Sequence, residues 1–361
     1  MSTNKRTIQT ILNINNNNNL FFSNSKENNT DQSNLLFTKE LQEKLNQDGY
    51  VVVPNVISIE KAEEYKEEFW TWLSQLGTGI KRDDPSTWTD DRWPLVQKDI
   101  ITYPSISHAE FIWKARAEPN VVKVFSELWK TNELLVGFCR ANIMRPSQYS
   151  GKFIEPWHHV DQRGSKPDRV SVQGLLNLED CGNRDGGLMV YPKSHLYHQA
   201  LFKHFKTSTK KDWYRHSSDE LMWLFTQNNA CKPTYIEAPA GSLILWDSRT
   251  IHYNRSPWPN NNNKFRYAIY ICQTPASFLT DKKIIKKKQD AFHNRKSTSH
   301  WPHEVYIFPE NPTFRASQAD KDKVLRLKKP PAIRDDQMTE TMKQLAGLNL
   351  EIQLNKRIKK Y

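Results

Sequence analysis

The chain has 361 residues, 37% hydrophobic and 11% aromatic, with 12 Trp, 13 Tyr and 16 Phe. That supply can build a sizeable core and excludes wholesale disorder, and the lack of any run of about 18 apolar residues excludes a membrane-spanning helix. The net charge of +12 is uneven: from Asp281 onward 19 Lys and Arg stand against 10 Asp and Glu, with Lys282, Lys283, Lys286, Lys287 and Lys288 as the densest run.

Residues 1–36 carry the Asn15–Asn19 run and few core formers, and read as a disordered leader without the apolar centre of a secretory signal. Thr38 is an N-cap, with Leu41 and Leu45 following at helical spacing. Asp48-Gly49 stops that helix, and Tyr50 to Pro54 is a short strand closed by proline. Ser58 caps a second helix to about Leu76, with Ala62, Tyr65, Phe69, Trp72 and Leu73 on one stripe. Residues 80–105 are polar and suit a long excursion over a site. A third helix is expected from about Asn120 to Lys130.

Beyond it the period changes. Leu134–Met144, Val170–Leu178, Leu188–Tyr191, Tyr235–Glu237, Ser242–Trp246 and Arg266–Gln273 read as strands. Helices followed by a run of strands make an α+β protein with a mainly β core, closed as a sandwich or barrel. One helical patch, Leu221–Phe225, interrupts the insertion from His198 to Cys231. A last helix spans Asp336–Ala346, stopped by Gly347. The four cysteines, Cys139, Cys181, Cys231 and Cys272, form no C-x-x-C pair and read as free thiols of a reducing compartment, so cytoplasm is the expectation. The basic terminal run attracts phosphate or polyanions in one reading and is a solvated stretch in the other.

His159-Val160-Asp161 places an imidazole and a carboxylate on the same side of a strand end. A second triplet of this kind, His108-Ala109-Glu110, lies in an irregular or helical stretch where such side chains diverge. Gly241 to Asp247 forms a turn and an apolar strand, followed closely by His252. Two imidazoles and one carboxylate on one face of an ion, with open positions opposite, are the ligand set of non-haem Fe(II) oxygen-activating sites. Arg266 opens the next strand, and a buried guanidinium there calls for an anion, which its planar fork fits as a carboxylate. Asp247 and Arg249 read as a pair that stiffens the turn before His252.

With these residues in place, the chain resembles the phytanoyl-CoA dioxygenase family of Fe(II)/2-oxoglutarate oxygenases over roughly residues 37–275. The resemblance rests on Asp48 to Pro54, Trp157-His158-His159-Val160-Asp161, Gly186 to His195, and Gly241 to His252 with Arg266. It implies a double-stranded β-helix, a cupin-like jelly roll with packed N-terminal helices, over 37–278, followed by a basic C-terminal extension with a short helix over 279–361. It further implies His159, Asp161 and His252 as iron ligands and Arg266 as the clamp for the distal carboxylate of the co-substrate 2-oxoglutarate.

Asn254 stands where the family often has a small hydroxyl-bearing residue, Asn260–Asn263 lengthens the stretch before Arg266, and Arg145-Pro146 replaces a common Lys-Pro. Arg145, Gln173 and Asn254 are therefore expected contacts or supports for oxoglutarate, with Asn177 on the same strand face as Gln173. The implied activity is hydroxylation of a small organic substrate, anionic in one reading, with release of succinate and CO2. Related halogenases keep a small residue where this chain has Asp161, which argues for hydroxylation. The competing expectation is a non-catalytic jelly roll whose basic tail holds nucleic acid or another polyanion.

Overall fold

The structure is a computed structural model that describes residues 35–149, 154–259, 264–309 and 318–350. The expected leader, apart from its last two residues, and the Asn260–Asn263 insertion lie outside the described residues.

Thr38 starts helix α1 (Lys39–Asp48), its hydroxyl accepting the N–H of Leu41 at 3.4 Å. Gly49 ends it at φ 80°, where a Cβ would meet His195 Nδ1 at 2.4 Å and Thr250 Oγ1 at 2.5 Å. Only glycine therefore lets the chain turn here against the loop that precedes His252. Strand β1 (Tyr50–Val53) and helix α2 (Ile59–Gln75) follow, and the whole expected stripe from Ala62 to Leu73 is buried. The stretch read as a plain excursion carries a small hairpin, β2 (Val96–Gln97) and β3 (Ile100–Ile101). Helices α3 (Glu110–Arg116) and α4 (Pro119–Trp129) come next.

The expected strand over 134–144 is two strands, β4 (Leu134–Val136) and β5 (Ala141–Met144), which join different sheets. The remaining core elements are β6 (His159–Val160), β7 (Val172–Asn177), β8 (Gly187–Val190), α5 (His198–His204), β9 (Tyr214–Arg215), α6 (Ser218–Gln227), β10 (Thr234–Tyr235), β11 (Leu243–Asp247), β12 (His252–Arg255), β13 (Arg266–Ile271) and β14 (Gln273–Pro275).

A seven-stranded sheet runs β1-β11-β7-β13-β5-β3-β2 and a five-stranded sheet runs β10-β8-β12-β6-β9, all pairs antiparallel. Alternation sorts the side chains into three layers. Val172, Leu176, Leu243, Leu245, Ile269 and Ile271 pack with α2, α3 and α4 on the outside of the large sheet. Leu175, Leu188, Val190, Ile244, Trp246 and Ala268 meet between the sheets. Val160, Met189 and Tyr253 close the outside of the small sheet with residues of α5 and α6. This is a double-stranded β-helix, and its interior layer is where odd-spaced polar residues must find partners.

The lysine run is a helix, α7 (Lys282–His293), capped by Asp281 and burying Ile285, Ala291 and Phe292. Lys288 is itself buried and donates to the Val136 carbonyl at 2.5 Å, and Lys286 pairs with Asp290. The run thus follows an amphipathic period rather than presenting five free cations. Helices α8 (Gln318–Arg326) and α9 (Glu340–Ala346) follow, α9 starting at Thr339 because Asp335–Gln337 forms a separate 3-10 turn. Residues from Leu36 onward belong to one compact unit. No described helix is long and apolar enough to cross a membrane.

Several histidines are held neutral by this packing. Burial pushes His195, His198 and His303 down to about 4, while unfolded histidine titrates near 6.5. Between those values the unfolded chain binds more protons, so stability is retained above about pH 6.5 and falls as pH drops toward 4. Chelator-treated protein is expected to lose on the order of 1–4 kcal/mol per pH unit across that window. Denaturant titrations at successive pH values measure this, and a flat profile from pH 6.5 to 4.5 would contradict the packing.

Candidate metal centre

β12 lies between β6 and β8, and its first residue, His252, is the Cα partner of both His159 and Val190. Alternation turns His252 and Asn254 inward while Tyr253 faces outward. On β6 the same rule turns His159 inward and Val160 outward, and Asp161 follows on the inner side. A cross-strand pair and a neighbour two residues on thus bring three side chains from distant sequence to one spot.

The ring centroids of His159 and His252 are 4.2 Å apart, and Asp161 Oδ2 lies 3.6 Å from His159 Nε2 and 3.2 Å from His252 Nε2. One ligand atom from each lies within 4.8 Å of the others, and all three residues are buried. Both imidazoles present the same nitrogen. His159 Nδ1 bonds the Trp157 carbonyl at 3.0 Å and His252 Nδ1 bonds the Thr250 carbonyl at 2.9 Å. A carbonyl only accepts, so each Nδ1 carries a proton, and Nε2 is the nitrogen each ring turns toward the common centre.

Burial, with His252 close by, pushes His159 down to about 4. Burial would raise Asp161, but the imidazoles of His300, His159 and His252 outweigh it and hold its carboxyl well below the usual carboxylate range. Two neutral nitrogens and one anionic oxygen are the donor set a divalent iron takes, and the residues fit it.

Supports surround the three. Gln173 donates to Asp161 Oδ2 at 2.9 Å. The Trp157 ring stacks on His159 at 4.1 Å and 10°, with Lys98 Nζ 3.5 Å from the Trp157 ring. The Asp161 N–H donates to the Ser248 carbonyl at 3.0 Å, tying β6 to the turn before β12. That turn is fixed by the buried Asp247, which accepts from Arg249 and from Arg169 at 2.8 Å each. Thr250 Oγ1 adds a bond to the Gly49 carbonyl at 2.9 Å.

A cavity of about 190 Å³ opens over the centre, lined by His159, Asp161, His252, Gln173, Asn254 and Tyr270, with Trp157, Trp213 and Trp246 among its aromatic walls. Arg266 sits behind this lining. It is buried, donates to Asn142 Oδ1 at 3.2 Å and leaves its Nε without a partner. Asn254 Nδ2 donates to Tyr270 Oη at 2.9 Å, and that phenol in turn interacts with Arg266.

Arg145 goes elsewhere: its guanidinium donates to the Trp88 carbonyl at 2.6 Å and pairs with Asp90, and it does not border the cavity. Asn177 serves the turn at Glu179, Ala238 and Pro239. His108 is buried against the Lys296 carbonyl, and His195 binds the Asn46 carbonyl. Trp88 and Trp93 pack around Phe265 with Trp70, away from the cavity lining. Tyr270 escaped the sequence reading, although it shares a strand face with Arg266 four residues before it. Thr298, Ser299, His300 and Phe308 also line the cavity, and no periodicity marked them.

A family model described as phytanoyl-CoA dioxygenase (PhyH) matches residues 45–267. The chain belongs to the phytanoyl-CoA dioxygenase family. It is 30% identical over 274 residues to the Ava biosynthesis cluster protein O of Aspergillus versicolor, covering 73% of this chain and 85% of that protein. Among solved structures, the GlcNAc Inducible Gene 2 protein of Candida albicans is similar with a TM-score of 0.53 at 15% identity, covering 87% of this chain and 82% of that one. EctD from S. alaskensis, crystallised with bound Fe, is also similar, with a TM-score of 0.47 at 15% identity over 72% of this chain and 82% of that one. Family membership places the chain among oxygenases, and the centre of His159, Asp161 and His252 fits the iron such enzymes use.

Replacing Gln173 with Ala removes the hydrogen bond that orients Asp161, and metal affinity should drop about 10–100-fold. Anaerobic titration calorimetry with Fe(II) reads this, and unaltered affinity would show that Asp161 is oriented without it.

Proposed function

We propose that this protein is an Fe(II)- and 2-oxoglutarate-dependent dioxygenase that hydroxylates a small organic substrate with release of succinate and CO2. The reading rests on the pairing of a three-ligand centre with a buried arginine on the facing sheet that makes no salt bridge among the described residues. Among the described residues no carboxylate forms a salt bridge with Arg266: it donates to Asn142 and interacts with Tyr270, while Asp99, pushed up to about 6 by burial, feels its charge beyond salt-bridge distance. A buried cation without an anion is costly, and a bound dicarboxylate would relieve that cost.

His159, Asp161 and His252 would hold the iron through Nε2, a carboxylate oxygen and Nε2. Bound iron with oxoglutarate supplies oxygen activation coupled to decarboxylation. The three ligands occupy one face and leave the cavity side open. Arg266 would meet the distal carboxylate through its planar fork at the place where Tyr270 and Asn254, bonded to each other, stand between it and the cavity. Trp157 and Trp246 flank the two imidazoles, at 4.1 and 5.3 Å between ring centroids, and restrict water around them. Asp161 fills the coordination place that a halide would need, which favours hydroxylation.

Anaerobic addition of 2-oxoglutarate to the Fe(II) protein should develop a weak visible charge-transfer band, and air should then yield succinate. His159→Ala should abolish both. Arg266→Ala should raise the oxoglutarate concentration for half-development by about a hundredfold, the scale of removing one partner of a buried charge pair. Wild-type protein that forms neither the band nor succinate would rule the reading out.

A further inference from the structure

The segment that follows the family domain builds part of the cavity. Residues 297–308 double back on themselves through a Thr298–Ile307 bridge, with Ser299 N–H donating to the Tyr306 carbonyl at 2.9 Å and Phe308 N–H to the Ser297 carbonyl at 3.0 Å. This loop lies along residues 137–139. Thr298 N–H donates to the Phe138 carbonyl at 3.1 Å, and Thr298 Oγ1 accepts the Phe138 N–H at 2.9 Å. A Cβ on Gly137 would come within 2.9 Å of the Ser299 carbonyl oxygen, so a side chain there would lift the loop. The same approach explains why β4 and β5 do not run as one strand.

Arg140 borders the cavity at this junction, its guanidinium carbon 4.3 Å from the centre of the Phe308 ring, which also borders it. Its Nε is buried without a hydrogen-bond partner, and among the described residues no carboxylate pairs with it. Beside the loop's contact with Gly137, His300 presents a buried Nε2 that also lacks a partner. His300 is engaged with Asp161, so the unsatisfied guanidinium of Arg140 is the group in this wall that needs a ligand or water. Arg266 cannot be what it serves, since it is a second cation behind Asn254 and Tyr270.

We propose that Arg140, with Phe308, forms a subsite for a carboxylate on the substrate itself, separate from the oxoglutarate clamp at Arg266. The substrate is then a small organic acid with an apolar body, its acid on Arg140 and its body against Phe308, Trp157, Trp213 and Leu188. A single guanidinium matches a monoanion held in its planar fork. A phosphate ester, with three acceptor oxygens and nearly two charges, asks for more donors than this wall offers. The inference rests on the oxygenase reading.

Phenylacetate and the neutral phenylacetamide serve as probes, followed by ligand-observed NMR broadening on the anaerobic Fe(II)–2-oxoglutarate protein. The acid should bind about tenfold or more tighter than the amide, the scale of hydrogen bonds to a charged group. Arg140→Gln should erase that preference, and Arg140→Lys should keep part of it. Gly137→Ala, which leaves Arg140 intact but displaces the loop, should also weaken the preference, and it carries the test if Arg140→Gln does not fold. Equal binding of the two probes, binding of neither, or a preference that survives Arg140→Gln overturns the proposal. So does a rise in the oxoglutarate requirement of Arg140→Gln to that of Arg266→Ala, because Arg140 would then serve the co-substrate. A wild-type protein without the charge-transfer band refutes the oxygenase reading, whereas an intact band without acid preference refutes the subsite alone.

Discussion

The register of one short strand governs the site. Because β12 pairs with β6 so that His252 stands opposite His159, a shift of β12 by one residue would turn His252 out of the interior and bring Tyr253 in. On the other side β8 pairs with β12 over four residues, but β6 offers only two to hold its own side. The surrounding loops do the holding. Asp247 is clasped by two arginines, Thr250 is bonded to the Gly49 carbonyl, and the Asp161 amide is bonded to Ser248. These bonds fix the turn before His252 to both the helix entrance and the end of β6, so ligand geometry is inherited from loop packing.

The same interior layer explains why polar residues cluster around the centre. Between the sheets most positions carry Leu, Val, Ile or Trp, and each polar intruder is paired with another. Gln173 goes to Asp161, Asn254 to Tyr270, and Arg266 to Asn142. Among the buried atoms left without a partner are the Nε atoms of Arg266 and Arg140. In a dry interior those atoms mark where ligands are expected rather than where the fold is finished.

Much of this was legible in the residues. The H-x-D triplet at a strand end, the later histidine after an apolar strand, and an arginine at a strand start are local patterns whose facing follows from period-two alternation. Gln173 was legible for the same reason. The contact of Arg145 with Asp90 was not, because the loop that carries Asp90 follows no periodicity. The tail misled through its charge. Five lysines within seven residues suggest a solvated run, yet Ile284, Ile285, Ala291 and Phe292 give α7 a buried side, and Lys288 reaches a carbonyl from within it. The loop of residues 297–308 carried no pattern because its place is set by non-local contacts with Phe138 and by the bare Cα of Gly137.

The most direct check is X-ray absorption at the iron edge of the anaerobic Fe(II) protein. Multiple scattering from two imidazoles is expected, with metal–ligand distances of about 2.0–2.2 Å typical of nitrogen and oxygen donors. The two-imidazole signature should fall to one in His252→Ala. A wild-type spectrum with one imidazole or none, or with sulfur in the first shell, would contradict a centre built from His159, Asp161 and His252.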